Sequence, residues 1–452
     1  MEKETYSTVK LFFLSSAFWF LAGTFLGFLD ATHLAAPQLF ENIPWLVFGR
    51  LRPMHTNVVI FGFVGSALLG AAYYMVPTLV RASLYSERID QLSLLVWNLT
   101  IAAGTVTLAM AYSQGREYAE WIWPVDVGVL LAFALIFYNL FQTARRRTEN
   151  IFYVSTWYIF GALIFTFFIY FFGNAMWNPS TGAITGMPDA ILAWFYGHGI
   201  VGLFLTPLAI AVAYYTVPIV TRSPLYSHTL SLVGFWTILM IYTHIGTHHL
   251  LQTPAPTWLK VLAITGSLGM FIPVATVLLN LWLTMRGKLA YLHADMGGKF
   301  VAAGLVWYTL TCVQGSLQSL PMVQRVTHLN NWAIGHAHMG VLGFAGTVGL
   351  GGIYFILPRI TRRPLYSRRL ADVQYWLVLL GMAGFFTTLT AAGLIQGNGW
   401  LNGETVYRML PEIHSYMLLR ASLGVLLVGA AALGFFNIAM SILGSRTKRG
   451  ES

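Results

Sequence analysis

The chain has 452 residues, of which 57% are hydrophobic and 9% charged, with a formal net charge of +10. That composition excludes a soluble enzyme built on one large core and points to a membrane protein. The single cysteine, Cys312, excludes an internal disulfide, a C-x-x-C-H attachment of haem and a two-cysteine copper site.

Twelve apolar stretches are each long enough to cross a bilayer and predict an all-α membrane fold. Span one, near 8–30, is followed by eleven others, so it does not read as a cleaved signal peptide. Span two, 54–80, opens on "FGRLRPMHT" (48–56), which carries Arg50, Arg52 and His55. Spans three and four, 91–111 and 124–143, flank "QGREYAEWIWPVD" (114–126), with Arg116, Glu117 and Glu120. Span five, 152–174, precedes span six, 189–217, which holds "WFYGHGIVG" (194–202) and His198. Span seven, 229–252, ends on "YTHIGTHHL" (242–250), where Tyr242, His244, His248 and His249 cluster. Span eight is 258–285; span nine, 299–320, contains "CVQGS" with Gln314. Arg325 and His328 precede span ten, 331–357, which opens on "NWAIGHAHMG" (331–340) with His336 and His338. Spans eleven and twelve are 369–396 and 411–443, and Arg420 lies within the last.

The positive charge follows the loops and is not a nucleic-acid signal. The two termini and the loops after even-numbered spans carry 19 of the 26 Lys and Arg, and the loops after odd-numbered spans carry 6. The positive-inside rule therefore places both termini in the cytoplasm.

Three loops repeat one another: "YYMVPTLVRASLYSER" (73–88), "YYTVPIVTRSPLYSHT" (214–229) and "IYFILPRITRRPLYSRR" (353–369). Pro77, Pro218 and Pro358 are 141 and 140 residues apart, and Tyr85, Tyr226 and Tyr366 keep the same spacing. Each loop follows the second span of a set of four. The expected architecture is one domain, 1–452, of three four-helix arcs near 8–143, 152–285 and 299–443, related by pseudo-threefold symmetry.

A lone histidine inside a membrane is most often a packing residue. Here His55, His198 and His338 lie 22, 20 and 20 residues before the three repeat prolines, so equivalent helices present imidazoles at nearly one depth. His336, His248 and His249 reach the same outer layer. Neutral imidazole is the common ligand of copper, iron and zinc. His336 and His338, at i and i+2, point about 200° apart on a helix and so serve two different centres. His338 with His55 fits the two axial positions of a six-coordinate haem, and His336 the single axial position of a five-coordinate one. His198, His248 and His249 then form a three-histidine copper site, facing that second haem. Arg50, Arg52, Arg116 and Arg325 are candidate partners for haem propionates, with His328 in the same region. Glu117 and Glu120, on one face if helical, are candidate ligands of a Ca²⁺.

Reduction of O₂ at such a site needs a fourth electron beyond the three the metals give, and a phenol can supply it. Tyr242 lies seven residues from His249, two turns on a helix, and Ser231 lies eleven before Tyr242. With Tyr226 at the cytoplasmic end, these predict a hydroxyl path for protons. His244, one turn from His248, reads as a supporting residue behind the ligands.

These motifs resemble the catalytic subunit (subunit I) of cbb-type, C-family haem–copper cytochrome c oxidases over nearly the whole chain. The carriers are "FGRLRPMHT", "EYAEWIWPVD", "WFYGHGIVG", "YTHIGTHHL" and "NWAIGHAHMG". The resemblance implies a terminal respiratory oxidase of the bacterial cytoplasmic membrane. Such an oxidase reduces O₂ to water with electrons from membrane-bound c-type cytochrome subunits and couples this to proton uptake and translocation. It implies a low-spin haem b on His55 and His338, a high-spin haem b on His336, copper on His198, His248 and His249, and Ca²⁺ between propionates. It also implies a covalent link between Tyr242 and His198 and a single proton channel. Two features depart from the family: Gln314 stands where a glutamate is usual, and Thr247 where a proline precedes the paired histidines. "QGREYAE" is similar to nitric oxide reductase catalytic subunits, which carry iron in place of copper, lack the tyrosine and place a glutamate where this chain has Gly202. Nitric oxide reduction is thus the sibling alternative, and a haem-free twelve-span transporter the other class.

Overall fold

The computed structural model describes residues 6–40, 42–175, 177–178 and 182–447. Among them are twelve helices long and apolar enough to cross a membrane. In chain order they are Ser7–Ala35, Phe48–Val80, Glu87–Ala109, Trp123–Arg145, Val154–Asn174, Met187–Thr221, His228–Leu250, Thr257–Met285, Met296–Gln318, Asn331–Thr361, Arg368–Leu401 and Val406–Gly444. These are spans one to twelve below. Most run past the limits set by hydropathy. Span two starts at Phe48, where Arg50, Leu51 and Arg52 are good helix formers and the helix runs on through Gly49 and Pro53.

Spans two, six and ten form the inner bundle. In each, 94% of the most apolar stretch is buried within the protein, against 33–61% in the other nine. They pack on one another through small residues: a Cβ on Gly349 would stand 3.1 Å from that of Ala67, and one on Gly352 would stand 3.2 Å from Val212. Close backbone approach of this kind is how helices associate where lipid removes the hydrophobic drive between them. The same three spans carry His198 and the candidate haem histidines. Each widens into a π-helical stretch just past its histidine, at Val58–Gly65, Ile200–Leu205 and Met339–Gly346. Such bulges recur at functional sites because they shift side-chain register within a helix.

The loop repeat has a repeated local structure. Four residues after each repeat proline, Arg81, Arg222 and Arg362 adopt left-handed φ values of 48°, 51° and 54° and end the helix. Ser86, Ser227 and Ser367 then cap the next helix, each hydroxyl accepting from the backbone N–H three residues on. Their own N–H groups donate to Asn139, Asn280 and Asn437, and those of Tyr85, Tyr226 and Tyr366 donate to Thr143, Thr284 and Ser441. Each loop is thereby tied to the fourth span of its set.

Span seven departs from the expected continuous helix. Its α-helical part is His228–Tyr242, and after a turn the chain resumes as a 3₁₀ helix, Gly246–Leu250. β-Branched Thr243, Ile245 and Thr247 disfavour helix, and Gly246 lets the turn press onto span six, since a Cβ there would stand 2.5 Å from the Trp194 carbonyl oxygen. Tyr242 and His249 therefore do not share a helical face, and His244 does not lie one helical turn from His248.

Candidate haem–copper centre

His198, His248 and His249 come together. Their ligand nitrogens all lie within 4.8 Å of one another, the one such group of histidine, cysteine or acidic side chains among the described residues. His198 Nδ1 and His249 Nε2 face each other at 3.0 Å, while His198 Nε2 is buried with no hydrogen-bond partner. The Ser267 hydroxyl donates its only proton to the Ala263 carbonyl, so it accepts at 2.6 Å from His248 Nδ1–H. That fixes the tautomer and leaves His248 Nε2 as a lone-pair donor. Gln324 holds the His248 carbonyl at 2.7 Å, and Trp194, one turn before His198, lies against His249 with ring centroids 3.8 Å apart. Neither Ser267, Gln324 nor Trp194 was among the sequence candidates. Only Trp194 carries a signal, its i,i+4 spacing from His198.

Tyr242 is beside this group, though not by helical periodicity. Its ring is near-parallel to that of His198, 7° apart with centroids separated by 4.5 Å. Gly202 makes the room, four residues after His198: a Cβ on it would stand 1.8 Å from Tyr242 Cε1 and Cζ.

His55 and His338 face each other with near-parallel rings, centroids 6.0 Å apart and planes 17° apart. Each donates Nδ1–H to a backbone carbonyl, His55 to Gly23 at 2.7 Å and His338 to Ile334 at 2.8 Å, so Nε2 is the free nitrogen of each. A Cβ on Gly27 would stand 2.6 Å from His55 Cε1, so glycine keeps that ring's edge clear. His336 turns the other way, as the i,i+2 spacing predicts. It lies against Trp332, its Nδ1 donates to Gln314 at 2.9 Å, and a Cβ on Gly315 would stand 3.3 Å from its Nε2. Gln314 thus orients His336.

The outer segment 114–122 is irregular, with Tyr118 at φ 61°, so Glu117 and Glu120 do not share a helical face. Glu117 pairs with Arg52 at 2.9 Å. Glu120 is buried, accepting from the Tyr118 N–H at 2.9 Å and from Asn57 at 3.3 Å. Burial pushes its carboxyl above the usual range, with Arg52 opposing. Arg116 is buried between Asp189 and the Gly173 carbonyl and is not free for a propionate. His328 Nδ1 donates to Gln252 Oε1 at 2.8 Å, and burial lowers its basicity.

At the cytoplasmic side, Ser231 is buried and accepts from Asn280 Nδ2 at 2.9 Å, and Asn280 also reaches the Tyr214 hydroxyl at 3.4 Å. The hydroxyls of Tyr158 and Tyr308, further in, are buried without a partner. Tyr226 is exposed. Its place is accounted for by the loop repeat, in which Tyr85 and Tyr366 are its equivalents.

Residues 7–448 match the family described as "Cytochrome C and Quinol oxidase polypeptide I". The chain belongs to this family. It is an oxidoreductase subunit of the haem–copper terminal oxidases, and its group implies haem and copper. It is 33% identical to the Cbb3-type cytochrome c oxidase subunit CcoN1 of Stutzerimonas stutzeri, over 88% of this chain and 85% of that one. It is 30% identical to a bacteroid cytochrome c oxidase subunit 1 homolog of Bradyrhizobium diazoefficiens, over 96% of this chain and 82% of the relative. A solved heme-copper terminal oxidase dimer shares the fold, with a TM-score of 0.80 at 16% identity over 96% of this chain and 84% of the other.

The residues present fit those groups. Three imidazoles converge, with His198 Nδ1 and His249 Nε2 facing each other and His248 Nε2 left as a lone-pair donor, which suits copper. Opposed imidazoles with both Nδ1 atoms satisfied suit axial ligation of haem iron.

Proposed function

We propose that the chain is the catalytic subunit of an oxidase that reduces O₂ to water with electrons from membrane-bound c-type cytochrome subunits. The carrying observation is the packing of Tyr242 on His198 in the space left by Gly202. In this reading His198, His248 and His249 hold one copper, His55 and His338 a low-spin haem b, and His336 a high-spin haem b. When bound, these groups supply electron transfer and O₂ activation.

The chain's own residues do the rest. Ser267 and Gln314 fix imidazole tautomers, so the ligand nitrogens need no proton loss at each turnover. Tyr242 gives a proton and an electron at the point of O–O cleavage. His198 Nε2, buried beside that ring with nothing to bond, is the atom available for a covalent link to it, an N–C bond formed in place of an N–H and a ring C–H, with two protons released and two electrons passed to O₂. Protons reach Tyr242 from the cytoplasm past Ser231, Asn280 and Tyr214. The unpartnered hydroxyls of Tyr158 and Tyr308 mark where water would bridge the path. Tyr226 lies at its mouth. Arg52 and His328 face the propionate region. Calcium at Glu117 and Glu120 requires Arg52 to yield Glu117 to the ion. The arginine-rich loops set the orientation, with both termini in the cytoplasm.

Nitric oxide reduction is not favoured, because a glutamate at position 202 and Tyr242 cannot occupy the same space. Metal analysis of the purified complex tests the reading. One copper to two haem irons is expected; a third iron and no copper would overturn it. His55→Ala should abolish the low-spin haem bands while carbon monoxide binding survives at the other haem.

A further inference from the structure

Arg420 is a cation well inside span twelve, 7% exposed, and its Nε has no hydrogen-bond partner. Asp30 of span one, 4% exposed, is the carboxylate that acts on it electrostatically, and Asp30 Oδ1 is likewise unpartnered. Charged groups at this depth are expensive to keep and mark function. These two do not close into a tight ion pair, so the field of the guanidinium is not cancelled at its source.

That field has a short route inward. The guanidinium carbon lies 5.7 Å from the centroid of the Phe385 ring, and that ring lies 4.6 Å from the ring of His338. Through these two contacts the cation stands within about 10 Å of His338, where charges couple strongly in an interior of low dielectric. Phe385 fills the gap with hydrocarbon, which excludes screening water.

We propose that Arg420 sets the electron affinity of the haem held by His55 and His338, with Asp30 as the counter-charge that keeps the guanidinium in the membrane. The inference rests on the assignment of those two histidines to a haem. Ferric haem carries one more positive charge than ferrous haem. A fixed cation nearby disfavours the ferric form and raises the midpoint potential, so Arg420 makes this haem a better electron acceptor.

The test is a redox titration of the low-spin bands in the assembled membrane complex. Arg420→Gln should keep the bands and shift the reduction equilibrium about tenfold toward ferric haem, ~59 mV for one electron. Arg420→Lys, which keeps the charge, should stay within about threefold of wild type. Intact bands with an unchanged potential in Arg420→Gln would overturn the proposal, because a purely structural arginine changes stability and not potential. If Arg420→Gln fails to assemble, Asp30→Asn decides: removing the counter-charge should raise the potential, and an unchanged or lowered value refutes the role. Failure of the underlying haem assignment looks different, since His55→Ala would then leave the low-spin bands in place.

Discussion

The ring of Tyr242 lies where any side chain on residue 202 would have to be, with Cε1 and Cζ 1.8 Å from a Cβ built on Gly202. Gly202 is buried within span six, and Tyr242 is half-buried at the end of the helical part of span seven and packed on His198, so neither can move aside freely. Gly202→Ala should therefore act as overpacking, at a cost of about 1–3 kcal/mol, and should displace the phenol from His198. The expected result is a lower melting temperature and a large loss of O₂ turnover. Adding Tyr242→Ala to it should recover stability without recovering turnover. A Gly202→Ala protein with normal stability and activity would show that the Tyr242 ring is not held there.

Ser267 touches no reacting group, yet it determines which nitrogen of His248 carries the proton. Ser267→Ala removes the acceptor of the His248 Nδ1 proton and frees the ring to rotate. Copper affinity should fall by roughly 10- to 100-fold, the usual effect of losing a partner behind a metal-ligating histidine. Chelator competition followed by metal analysis reads this directly. Haem content should not change, because His55 and His338 have their own backbone acceptors and His336 has Gln314.

Glu120 gives a pH dependence whose sign follows from its burial. Desolvation raises its carboxyl above the ordinary 4.5, against the pull of Arg52 and its hydrogen bonds. The folded state thus binds the proton more tightly than the unfolded chain. The stability this contributes is full below the unfolded value and is lost as pH rises through the folded one. Glu120→Gln cannot titrate, so its melting temperature relative to wild type should climb as pH increases from about 4.5 upward. A difference that stays constant over that window would mean Glu120 is ionised in the native protein throughout.

Much of this was legible because membrane physics writes strongly into sequence. Twelve apolar runs, a charge bias between loops and three spaced prolines are each local or periodic signals. So is the divergence of His336 and His338, which needs only helical geometry. Reading failed where the chain leaves regular structure. Tyr242 reaches His198 across a broken helix, so its true neighbour is on span six and its supposed one, His249, is reached by a turn and a 3₁₀ segment. Glu117 and Glu120 were paired by an i,i+3 rule that an irregular loop does not obey. Ser267 and Gln324 were invisible because a lone serine or glutamine in an apolar run has no periodic signature. Only tertiary contact makes them partners of His248.

Tyr242 and Ser231 provide the sharpest functional test. Both lie on the helical part of span seven, eleven residues apart, so they share a face running from the cytoplasmic side toward the histidine cluster. Tyr242→Phe removes one hydroxyl and leaves the ring filling the space beside Gly202, so packing and haem binding should be retained. Oxygen turnover should nevertheless drop by orders of magnitude, since the proton and electron donor at O–O cleavage is gone. Ser231→Ala should slow turnover less, because Asn280 remains and a water can stand in for one link of a proton chain. The ordering of the two effects matters more than either value. If the phenol only packed, Tyr242→Phe would be the milder change of the two. Peptide mapping adds a readout independent of rate: a fragment joining the segments of Tyr242 and His198 is expected in the wild type and absent in Tyr242→Phe. Near wild-type oxygen consumption in Tyr242→Phe would return this residue to a packing role and remove the chemical reason for Gly202.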